Sequence, residues 1–142
     1  MSDPTIKLAI FGALMVHGIA HIGALGALMW IGYSPGTATG GWLPARSWLF
    51  PSLSASTATA LASIFWVVAL LGFVVVALSF WGIRVPVRVW RPVAVVSAVV
   101  STIGVVLFFG TWPMFNTIAA LGMNVVAVLI ALLWPLWGDR VS

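Results

Sequence analysis

The chain of 142 residues predicts an all-α membrane protein, a four-transmembrane-helix bundle with a long outer loop. Three observations predict it. Apolar residues make up 63% and charged residues only 6%, with a mean hydropathy of +1.20, whereas a soluble domain spends about a quarter of its residues on charge. Apolar runs, uncharged apart from Lys7, that match the about 20 apolar residues needed to cross a bilayer core in a helix occur at 5–31, 57–83, 92–110 and 116–137. Eight of the nine Trp lie at the ends of these runs or in the first loop, where indole rings prefer the membrane interface. Residues 1–142 thus read as a single integral membrane domain. The chain has no Cys, which excludes disulfides and CxxC redox chemistry. Its net charge of +4 is too small and scattered for binding nucleic acid.

The first run is entered through Ser2-Asp3-Pro4, where Asp3 can cap and Pro4 can take the first helical position. Its apolar stretch exceeds the about 7–15 residues of a signal peptide, so it is expected to remain as a span. In the outer loop, Pro35, Gly36, Gly40, Gly41, Pro44 and Pro51 forbid one regular element. Within that loop, residues 44–50 are expected to form one short interfacial helical turn, with apolar side chains toward lipid and Arg46 toward water. Ser52, Ser54, Ser56 and Thr57 offer caps for the second helix. The inner loop is tight, bracketed by Pro86 and Pro92, and the last connection, 110–116, is a short interfacial turn. Pro135 stands near the end of the last run, where a lost hydrogen bond is tolerated or ends the helix early. Trp81-Gly82-Ile83-Arg84 is echoed by Trp137-Gly138-Asp139-Arg140, as expected of two inner helix ends that each want a belt Trp, a terminal Gly and a stop-transfer Arg.

With four spans, Lys7, Arg84, Arg88, Arg91 and Arg140 fall on one side and Arg46 alone on the other. Basic loops stay in the cytoplasm, so both termini are expected there, with the chain integral to the plasma (inner) membrane. Arg84, Arg88 and Arg91 are expected among lipid head groups as an anionic-lipid site, each charge worth about 1 kcal/mol near such a surface. The topological role also accounts for this cluster.

Within the spans the chain carries no Asp, Glu, Lys or Arg beyond Lys7. Ion-coupled carriers and proton pumps place an ionisable group at mid-depth, and carboxylate-based or Ser-His-Asp catalysis lacks its acid. What remains is His17 and His21. Four residues on a helix are about 40° of rotation and about 6 Å of rise, so both rings leave one face, together with Ala13, Ala20 and Ala24. Small residues let a second helix approach, and the pair is expected at a helix interface.

Three ligand readings are open for the pair: a metal, a haem or chlorin, or a quinone. A stable metal site wants a third or fourth ligand, and no strong one is present; a shared face also prevents the two rings from sandwiching one haem. Ala13, one turn before His17, resembles the small-residue-then-His spacing of light-harvesting helices, and makes His17 the favoured ligand. The packing reading has the rings bonded to Asn124, Ser or Thr of neighbouring helices. Asn124, flanked by Ala120 and Ala127 in the fourth run, needs partners in a bilayer, and His17 lies at matching depth. The first and fourth helices are therefore expected to touch. Ser97, Ser101 and Thr102 are expected to bond to their own backbone carbonyls.

The segment Phe11-Gly12-Ala13-Leu14-Met15-Val16-His17-Gly18-Ile19-Ala20-His21 resembles the opening helix of the DoxX-like four-helix membrane proteins, which carries a His-Gly pair with a basic residue three after the Gly, here His21. The resemblance rests on that segment and the span count. It implies a small inner-membrane subunit linked to quinone or thiol redox systems.

The leading functional expectation is a non-catalytic accessory or anchoring subunit of a membrane redox or energy-converting complex, contacting a quinone, haem or chlorin pigment through His17, His21 and Asn124. The alternative is an oligomeric small transporter or channel, disfavoured because a permeation path needs polar lining. An independent enzyme ranks third. The 14 Gly leave close-approach faces, so a homo-oligomer or a larger membrane complex is expected.

Overall fold

A computed structural model describes residues 4–33 and 43–138. Four helices follow one another: α1 (Pro4–Tyr33), α2 (Ala55–Trp81), α3 (Trp90–Leu107) and α4 (Met114–Gly138), with a 3-10 turn at Val87–Val89 before α3. Each is long and apolar enough to cross a membrane, and among the described residues there is no strand. Asp3, Trp42, Asp139 and Arg140 lie outside the described residues, as do the side chains of Trp134, Pro135 and Trp137.

Helix ends follow local chemistry. Ser54 caps α2, its hydroxyl accepting from the Thr57 amide at 3.2 Å. Gly82, with φ of 78°, closes that helix: its amide bonds Ser79 O, and the Ile83 amide reaches Leu78 O at 2.8 Å. A left-handed residue is needed to turn the chain back onto the last carbonyls, and Gly adopts it without a Cβ clash. α3 begins two residues before the expected Pro92 because amides of a first turn have no intrahelical acceptor to lose. It ends at Leu107, short of the expected 110, where Gly110 (φ 88°) turns the chain toward α4.

Residues 44–50, expected as a helical turn, form no helix. The segment is strapped instead across the end of the bundle where α3 gives way to α4. The Leu43 amide donates to Thr111 O at 3.0 Å and Trp48 Nε1 to Val106 O at 2.6 Å, while the Ser47 hydroxyl accepts from the Phe50 amide. These bonds to α3 and to the turn after it replace those a helical turn would supply, and Ala45 beneath them is fully buried.

Successive helices pack antiparallel against one another, whereas α1 and α4 barely touch. Two apolar clusters result. Toward the end where α2 stops and α3 starts lie Phe73, Val76, Phe80, Trp90 and Ala94; toward the opposite end lie Leu28, Ala62, Trp66, Phe108 and Trp112. Between them sits a buried polar layer of His17, His21, Ser101 and Asn124. Lys7 stands over the Trp81 ring at 5.3 Å and Arg91 over Trp90 at 5.4 Å, so these cations share one end of the bundle.

Candidate functional site

The polar layer is a connected network. His17 Nε2 lies 2.8 Å from Asn124 Oδ1, which joins α1 to α4 at mid-depth as the sequence predicts. Asn124 Nδ2 donates to Ser101 Oγ at 3.0 Å and to Thr102 Oγ1 at 3.1 Å. His21 Nδ1 lies 3.0 Å from the His17 carbonyl, and its Nε2 lies 3.4 Å from Ser101 Oγ. Ser97 does bond its own backbone, to Val93 O at 2.7 Å. Ser101 and Thr102 also accept the Asn124 amide, contacts that the expectation of self-satisfied hydroxyls did not include.

Directionality follows from one backbone carbonyl, which only accepts. For neutral imidazoles, His21 Nδ1 is then the protonated nitrogen and Nε2 the lone pair. Ser101 must donate to that lone pair, so its oxygen accepts from Asn124 Nδ2. The Asn124 carbonyl is thereby turned to His17, whose Nε2 must carry the proton. His17 Nδ1 is left as a lone pair with no partner among the described residues, although His17 is only 6% exposed.

Phe73 closes one side of the pair, 4.4 Å from the His17 ring in an edge contact, and Trp112 meets His21 at 5.8 Å. On the other side α1 and α4 diverge around a cavity of about 510 Å³ bordered by both His rings. Apart from the His rings and Asn116, its walls are small or apolar: Gly12, Ala13 and Ala20 from α1, and Phe115, Ala119 and Met123 from α4. Of the expected small-residue stripe, only Ala24 is buried against a neighbour; Ala13 and Ala20 are exposed and leave the cavity open. A Cβ at Gly12 would meet nothing within 4 Å.

His21 has both ring nitrogens engaged and Asn124 all its polar atoms, so of the three expected cofactor contacts only His17 retains a free valence. The other two hold it. Among the described residues no three His, Cys, Asp or Glu come together as a metal cluster would require. Ser101, Thr102 and Phe73 were not expected at the site; the spacing of Ser97, Ser101 and Gly104 along one face of α3 was the available signal. Arg84, Arg88 and Arg91 are all exposed around the loop between α2 and α3, far in the fold from the polar layer. Comparison with protein-family models, curated proteins and solved structures gives no match.

Proposed function

We propose that the chain is a non-catalytic accessory or anchoring subunit of a redox or energy-converting complex in the plasma (inner) membrane, and that it holds a quinone-type ring from the bilayer between α1 and α4. The observation that carries this reading is the cavity of about 510 Å³ beside His17. Its volume falls in the range of small-molecule sites, about 300–1,000 Å³, which are mostly apolar with few polar groups. An apolar cleft between membrane helices takes a lipid-phase ligand, and Phe115 and Trp112 put aromatic side chains in its lining. The resemblance of 11–21 to DoxX-like proteins points the same way. Arg84, Arg88 and Arg91 then meet anionic head groups at the cytoplasmic surface.

The test is gentle extraction followed by an absorption spectrum and an inventory of copurifying lipids, quinones and chains. The reading expects quinone in stoichiometric amount, lost in Gly12→Leu, whose side chain would occupy the cavity, and at least one partner chain. A visible band lost in His17→Asn would move the ligand to a haem or chlorin. Colourless, quinone-free material without partners would overturn it.

A further inference from the structure

Hydrogen bonding in the polar layer has a fixed direction, and that direction sets what the cavity can recognise. Each donor is assigned by the one before it, starting at the His17 carbonyl: His21 Nδ1 to that carbonyl at 3.0 Å, Ser101 to His21 Nε2, Asn124 Nδ2 to Ser101 at 3.0 Å, and His17 Nε2 to Asn124 Oδ1 at 2.8 Å. The chain ends on a lone pair at His17 Nδ1. A carbonyl presented to that nitrogen finds no proton, whereas a hydroxyl finds a matched acceptor. Asn116, two turns nearer the outer end on the cavity wall, carries an amide that donates and accepts, so it does not discriminate. We propose that the cavity is selective for the reduced, hydroxyl-bearing form of its ring ligand: it is a quinol site in which His17 Nδ1 accepts the ring hydroxyl and Asn124, through Nε2, fixes which nitrogen accepts.

This rests on the quinone-type reading above and adds oxidation-state selectivity to it. Asn124 is a positioning residue, since it reaches the ligand only through the imidazole. An imidazole lone pair left facing a carbonyl instead of a hydroxyl forgoes one hydrogen bond, about a tenfold factor in affinity, so the hydroquinone is expected to bind about tenfold tighter than the quinone.

The experiment uses the whole chain in lipid nanodiscs, without oxygen, and measures retention of decyl-benzoquinone and of its hydroquinone against empty discs. In parallel, nitrogen-15 NMR of labelled histidine reads which His17 nitrogen is protonated. The expected result is tighter hydroquinone binding, an unprotonated Nδ1, and loss of the preference in Asn124→Leu, where His17 is free to exchange tautomers. Gly12→Leu should abolish binding of both forms. Equal binding of the two forms, tighter quinone binding, or a protonated Nδ1 in the free protein overturns the selectivity while leaving the ligand reading standing. Binding of neither form overturns the ligand reading itself. If Asn124→Leu does not fold, the wild-type comparison and the NMR assignment still decide the proposal.

Discussion

Asn124 and Trp66 are both sealed at mid-depth, yet their polar atoms fare differently. Asn124 makes three hydrogen bonds to two other helices, while the Trp66 indole nitrogen has no partner among the described residues. Interhelical hydrogen bonds in bilayers average about 0.6 and reach about 1.7 kcal/mol. Asn124→Leu is therefore expected to lower stability by about 1–2 kcal/mol in a reversible unfolding titration in mixed micelles, modest for a residue so central. Trp66→Phe should fall within about 1 kcal/mol of the parent, because removing an unmatched buried donor relieves a cost of about 1–3 kcal/mol that offsets the lost ring contacts with Trp112 at 5.1 Å. A loss above 3 kcal/mol would mean the indole nitrogen has a partner in the membrane. His17 and Asn124 were legible in the sequence because a polar group in an apolar run must find another at its own depth. Ser101 and Thr102 were not, since a helical hydroxyl can always bond the carbonyl one turn back, so its presence carries no information about a partner.

Helices here are fitted by side-chain size rather than by polarity. α2 buries Ala58, Ala62, Trp66, Ala69, Phe73, Val76 and Phe80 at the three- and four-residue spacings of a left-handed crossing, yet the whole helix is apolar, so hydropathy alone cannot mark that face. Lipid is as apolar as Leu, and close contact is what selects a neighbour. At Gly72 a Cβ would overlap the Ser97 hydroxyl, and at Gly104 it would come within 2.7 Å of Phe65. Gly72→Ala is thus expected to cost about 1–3 kcal/mol by overpacking. Ser97→Gly in the same chain should recover most of it, whereas Gly122→Ala, with nothing within 4 Å, should be neutral or slightly stabilising. Thermal unfolding of the three variants in one detergent checks this, and the absence of rescue would place the α2–α3 crossing elsewhere. Span count and helix ends were readable to within about three residues because length, Gly and Pro mark them. In the strap at 43–54, residues 44–50, expected as a helical turn, form no helix because their form depends on Trp48 reaching Val106 and Leu43 reaching Thr111, contacts that no local pattern records.

At the scale of the molecule, charge and aromatic placement divide the bundle into two unlike ends. Lys7, Arg84, Arg88 and Arg91 gather at the end where α2 stops and α3 starts, with Trp81 and Trp90 beneath two of them. Arg46 lies at the opposite end, beside Trp48, Leu49 and Phe50, each at least half exposed. Basic residues resist transfer across the membrane during insertion, so the end bearing the cluster is expected to face the cytoplasm. Ser52→Cys, in the exposed strap, and Val87→Cys, in the exposed turn before α3, leave every charge in place and report opposite ends. In intact cells an impermeant maleimide should label Cys at 52 and spare Cys at 87 until the membrane is opened. The reverse pattern would invert the bundle and put the arginines outside, while labelling of both sites from outside would mean that α2 does not cross.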